Sequence, residues 1–105
     1  MKVLFVCNQG KHRSRTAEQL FKGEFETRAA GLYSESPVSA QDLAWADTIV
    51  VMEEHQRKEL VARFPQECLQ KRLVTLNVPD VYQFQQPELV ETLKARVASA
   101  MEITS

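Results

Sequence analysis

Cys7-Asn8-Gln9-Gly10-Lys11-His12-Arg13-Ser14 brings a thiol, a glycine, a guanidinium and a hydroxyl into one short stretch. Each has a task if the stretch is a loop around a phosphate group. The backbone from Asn8 to His12 can curl so that several N–H groups face inward, forming an anion nest at the start of a helix. Gly10 permits a backbone angle that a residue with a Cβ adopts only at a cost. Arg13 can close the ring with a planar fork that grips two oxygens. Such positive surroundings favour an ionised sulfur at Cys7, and the Ser14 hydroxyl can donate a hydrogen bond to that sulfur. A thiolate beneath an oxyanion cradle is equipped to cleave a phosphate monoester through a phosphocysteine. Lys11 and His12 contribute chiefly their backbone N–H groups, with their side chains as possible extra charge.

The leaving oxygen of such an ester needs a proton. The aspartates are Asp42, Asp47 and Asp80. Asp42 falls in a predicted helix and Asp47 reads as a turn residue before a strand. Asp80, in Val78-Pro79-Asp80-Val81-Tyr82, follows a predicted strand and is the candidate acid; a turn aspartate after proline is the equal alternative. Tyr33 and Tyr82 are candidates for the walls of a substrate pocket, with half-buried packing as the alternative for each. His55 lies on a solvated helix face and Cys68 reads as a packed or loop thiol.

The spacing Cys-x5-Arg alone fits a buried apolar thiol and a surface arginine better than a site. The context reverses this, because a strand precedes it, a glycine lies inside and Arg-Ser opens a helix. A nucleotide-binding Gly-Lys loop is excluded, since Phe5 stands where its first glycine belongs and His12 follows Lys11.

These residues need a scaffold. Lys2 to Cys7 is a β-favouring run without polar alternation, as a strand buried on both faces requires. The spacing predicts a helix over Ser14–Phe25, with Ala17, Leu20, Phe21 and Phe25 on one face. An edge strand follows over Glu26–Leu32, ending near Gly31. Ser39 then caps a short helix through Trp45 and Ala46. Thr48–Met52 is a second buried strand. A helix over Glu53–Phe64, with Leu60, Val61 and Phe64 inward, is stopped by Pro65. Arg72–Leu76 is a fourth strand. Pro87 opens a final helix whose stripe is Leu89, Val90, Leu93, Val97 and Met101. Alternation of this kind predicts a three-layer α/β sandwich with a mostly parallel sheet, ligands binding beyond the carboxyl ends of its strands.

The chain has 105 residues, 44% apolar and 26% charged, with a formal net charge of -1. That is the size of one domain spanning residues 1–105, able to form a core. No global field recruits nucleic acid or an anionic membrane. Val3 to Cys7 is too short for a signal-peptide core. Two distant cysteines argue against a disulfide scaffold or structural zinc, and no metal-ligand spacing is present. A cytoplasmic protein is the expectation.

VLFVCNQGKHRSRTAEQLF is similar to the opening of the low-molecular-weight protein tyrosine phosphatases: a strand, Cys-x5-Arg-Ser, then a helix with Ala-Glu. Ala30-Gly31, Ala46-Asp47-Thr48-Ile49-Val50-Val51-Met52 and an aspartate loop followed by an aromatic extend the resemblance. It implies a four-stranded parallel sheet in the order 2-1-3-4, with Cys7 as nucleophile and Arg13 as phosphate clamp. Asp80 would be acid and then base, with no cofactor or metal, acting on a phosphorylated protein or small phosphate ester. The chain departs from the family in placing Asn8 before Gly10, in Arg15 where proline is common, in Val81 after the aspartate, and in His12 where many members carry a second cysteine. It also reads as a short variant, with Gly31–Asp47 too brief for the usual aromatic wall. Alternatives are a non-catalytic phosphate-binding module, an arsenate reductase or a phosphocysteine carrier. Arsenate reduction needs cysteines beyond Cys68, and a carrier would have no use for Arg13 and Asp80.

Overall fold

The computed structural model describes residues 1–101. Its elements are β1 (Lys2–Cys7), α1 (Arg13–Phe21), β2 (Glu26–Gly31), α2 (Ala40–Trp45), β3 (Thr48–Val51), α3 (Glu54–Arg63), α4 (Pro65–Leu69), β4 (Arg72–Thr75) and α5 (Pro87–Met101). The strands form one sheet in the order β2-β1-β3-β4, and every pairing is parallel. β1 is central, and alternate residues serve opposite faces. Val3, Phe5 and Cys7 pack with Ala17 and Phe21 of α1 and Leu89, Leu93 and Val97 of α5. Leu4 and Val6 pack with Leu43, Leu60 and Cys68 on the side of α2, α3 and α4. Both faces are therefore covered, which is why β1 reads as an unbroken apolar run. Fully burying each Val, Leu or Phe contributes about 1.5–3 kcal/mol, so this strand alone anchors much of the fold.

Three elements differ from the sequence reading. α1 stops at Phe21 rather than Phe25, because the chain turns at Gly23 and the N–H groups of Glu24 and Phe25 both donate to the Phe21 carbonyl, at 2.9 and 3.0 Å. Phe25 still packs on the core from outside the helix, its ring 6.3 Å from that of Phe21, which explains the helical periodicity through it. Pro65 ends α3 but also begins α4, where its missing N–H costs nothing at the first helical position. The inward row of α3 is Gln56 and Leu60, with Phe64 partly buried; Val61 is turned outward. Ser39 caps α2 as expected, accepting from the Asp42 N–H in a reciprocal pair with the Asp42 carboxylate. Among the described residues, no helix is long and apolar enough to cross a membrane.

Parallel strands place all their carboxyl ends on one rim. Cys7 ends β1 there, Met52 and Glu53 follow β3, and the segment after β4 stays on the same edge because the Val78 N–H donates to the Met52 carbonyl at 2.8 Å.

Candidate active site

The segment Cys7–His12 bends sharply between β1 and α1, and two glycines allow it. Gly10 has φ +71°, and a Cβ there would lie 2.9 Å from the Gly31 nitrogen. Gly31, paired in register with Cys7, would bring a Cβ within 2.5 Å of the Gln9 carbonyl carbon. The loop thus packs backbone against backbone on the end of β2. There the N–H groups of Leu32 and Tyr33 donate to the carbonyls of Cys7 and Asn8, at 2.9 and 2.8 Å. Turning those carbonyls outward leaves the concave side to donors.

The sulfur of Cys7 lies on that side. The Gly10 N–H donates to Sγ at 3.1 Å, and the Ser14 hydroxyl lies 3.1 Å from it. α1 has no side-chain cap and no acidic residue in its first turn, so its first N–H groups are available to an anion. A cavity of about 90 Å³ opens over the sulfur, lined by Cys7, Asn8, Gln9, Lys11, His12, Arg13 and Asp80. His12, one of the lining residues, has a buried Nδ1 with no hydrogen-bond partner among the described residues.

Arg13 is 1% exposed, and a buried guanidinium must be paired. Its Nη1 donates to the Glu53 carboxylate and, at 2.8 Å, to the Val78 carbonyl. Its Nε lies 3.8 Å from Asp80 Oδ1. Among the described residues Nη2 has no protein partner, so both of its N–H bonds face no acceptor of the chain and remain for a ligand. Asp80 is 57% exposed and stands at the mouth of the cavity.

The two tyrosines separate. Tyr82 packs against the core beside α5. Tyr33 is exposed on the β2 side, its ring beneath the Arg63 guanidinium, and borders a second cavity with Gln9, Lys11, Ser34, Glu35 and Ser36. They do not form two facing walls.

Three residues at the site were given no role there from the sequence. Glu53 holds Arg13. Gln56 Nε2 donates to Asn8 Oδ1 at 2.9 Å, and a ring nitrogen of His55 lies 3.2 Å from the same oxygen. His55, expected on a plain solvated face, therefore touches the loop. The usable signal was Glu53-x-x-Gln56 directly after a buried strand, a helix-start pattern fixed on the rim shared with Cys7.

No family model matches this sequence, and no curated protein matches it. Among solved structures, the YwlE arginine phosphatase from Geobacillus stearothermophilus is 21% identical with a TM-score of 0.71, over 96% of this chain and 92% of its own. The low-molecular-weight phosphotyrosine phosphatase VcLMWPTP-2 from Vibrio cholerae O395 gives 19% and 0.74, over 97% of each chain. The tyrosine phosphatase Wzb from Escherichia coli K30, in complex with phosphate, gives 14% and 0.69, over 98% of each. The chain has the low-molecular-weight tyrosine phosphatase fold. At these identities the likeness is one of architecture, and it includes the strand order 2-1-3-4. All three are matched almost end to end.

Proposed function

We propose that this chain hydrolyses phosphate monoesters through a phosphocysteine on Cys7. One observation carries the reading: Sγ receives the Gly10 N–H and faces the Ser14 hydroxyl at the floor of a cavity that Arg13 and Asp80 also line. The low-molecular-weight tyrosine phosphatase fold supports it, because known phosphatases share this architecture.

In the proposed reaction the Cys7 thiolate attacks phosphorus while the bond to the ester oxygen breaks. Loop N–H groups and the remaining Arg13 donors stabilise the equatorial oxygens. Asp80, protonated, gives its proton to the departing alcohol. A water then attacks the phosphocysteine and loses its proton to the Asp80 carboxylate. Inorganic phosphate leaves, and Cys7 returns as thiolate with the Ser14 hydroxyl beside it. No group beyond these residues is needed to balance the two steps.

Phosphate monoesters in general are the proposed substrates, aryl phosphates among them. Tyr33 stands at the adjoining cavity, which shares Gln9 and Lys11 with the one over Cys7, and Tyr82 packs on the core, so the two tyrosines do not clasp a phosphotyrosine ring between them. Arsenate reduction is disfavoured by the position of Cys68. It packs on the opposite face of the sheet from Cys7, so the two sulfurs cannot relay electrons without unfolding that layer.

The test is leaving-group dependence. In Asp80→Asn, hydrolysis of an alkyl phosphate should fall about 10²–10⁴-fold, the usual range for a lost general acid. A nitrophenyl phosphate, whose phenolate leaves without help, should fall less than about tenfold. Equal losses on both substrates, or none, would overturn the role of Asp80. Failure of the wild type to hydrolyse either ester would leave a phosphate-binding module instead.

A further inference from the structure

We infer that Gln56 is a positioning residue that locks the amino-terminal half of the phosphate loop, through Asn8, to the same helix start that holds Arg13. The inference rests on the loop being an anion site. Gln56 is fully buried in α3, where an uncharged amide is costly unless every polar atom is used. Oε1 accepts from the Met52 and Glu53 N–H groups, each at 2.8 Å. Those two bonds satisfy the start of α3 and fix the backbone of Glu53, whose carboxylate holds Arg13. The third bond does nothing for the helix. Nε2 reaches across to Asn8 Oδ1 at 2.9 Å, a residue 48 positions away in sequence.

Asn8 is thereby held at both ends, its side-chain oxygen by Gln56, with a His55 ring nitrogen 3.2 Å away, and its backbone carbonyl by the Tyr33 N–H at 2.8 Å. Gly10, two residues on, must aim its N–H at the Cys7 sulfur within 3.1 Å. A loop held only by its backbone would still carry every reacting group, but its N–H groups would be less well aimed when an anion arrives. This also gives Asn8 a task in its unusual position ahead of the glycine, since its side-chain oxygen faces α3.

The experiment measures inorganic phosphate binding by titration calorimetry, with thermal melting alongside. Asn8→Ala and Gln56→Met should each weaken phosphate binding about tenfold, and the double variant by much less than the hundredfold product, because the Asn8–Gln56 bond is lost in both. Gln56→Glu should bind within about fourfold of the wild type. Its carboxylate still accepts the Met52 and Glu53 N–H groups, and the Asn8 amide can turn to donate to it. Losses that multiply to about a hundredfold, or an Asn8→Ala protein that binds phosphate normally, would overturn the inference. If Gln56→Met does not fold, Asn8→Ala and Gln56→Glu decide it. Normal phosphate binding without turnover in the wild type removes the hydrolytic reading and leaves this one standing; no phosphate binding removes both.

Discussion

Cys7 and Cys68 are almost equally hidden, at 3% and 7% exposure, and both belong to apolar clusters of the same sheet. What reaches their sulfurs differs. Cys7 is met by the Gly10 N–H and the Ser14 hydroxyl, and the cavity above it carries a guanidinium. Cys68 meets the Leu60 carbonyl oxygen, 3.8 Å away, with Glu67 beside it in α4. Burial, followed by the Glu67 charge, pushes the Cys68 thiol up from its ordinary value. Burial is thus neutral with respect to chemistry: a donor and a hydroxyl face one sulfur, while an acceptor and hydrocarbon face the other and keep its proton on.

The largest test of this contrast is replacement of each sulfur. Cys7→Ser should lower aryl phosphate turnover by at least about 10³-fold, whereas Cys68→Ser should leave turnover within about twofold and cost about 1–2 kcal/mol of stability. Comparable losses of activity in both variants would abolish the distinction. Next comes Gly10→Ala. Its Cβ would meet the Gly31 nitrogen at 2.9 Å at a positive φ, so the loop must shift its N–H off the sulfur. Turnover should fall roughly 10²-fold, in line with the cost of a misplaced reacting group. A retained rate would mean that the Gly10 donor is dispensable.

A smaller effect concerns alkylation. Iodoacetate should label Cys7 before Cys68 in the native protein, and Ser14→Ala should slow Cys7 labelling about tenfold, the worth of one hydrogen bond to a charged group. Mass spectrometry of the labelled peptides reads both. The smallest is a pH effect at Cys68. Its folded thiol holds a proton that the unfolded thiol loses at lower pH, so its contribution to stability is complete below about pH 8.5 and is lost as pH rises further. The wild type should lose melting temperature above that pH, and Cys68→Ala should lose less. Identical curves would remove the effect assigned to Cys68.

Much of this architecture is legible in the residues. The β1 run, the Ser39 cap and the stripe of α5 are local signals, and tertiary contacts agree with them. α4 was hidden because a proline ends one helix and opens the next with the same ring. Tyr82 and Tyr33 lie in loops, where sequence carries no information about facing. The loop could be read because its chemistry is contiguous from Cys7 to Ser14. Its supports at Glu53, Gln56 and Gly31 are harder to read as such, because parallel pairing brings them in from distant positions. Glu53 and Gln56 also look like ordinary residues at a helix start until the strand order is known.

The close seat of the loop on Gly31 limits how this site can be moved or copied. Residues Cys7 to Ser14 grafted onto another strand–helix junction would carry the nucleophile and the arginine, but would meet a side chain where this protein offers bare backbone. Portability would therefore require a second, distant codon to change with the graft. A library that varies only the contiguous motif would keep returning inactive chains until the neighbouring strand also ended in glycine.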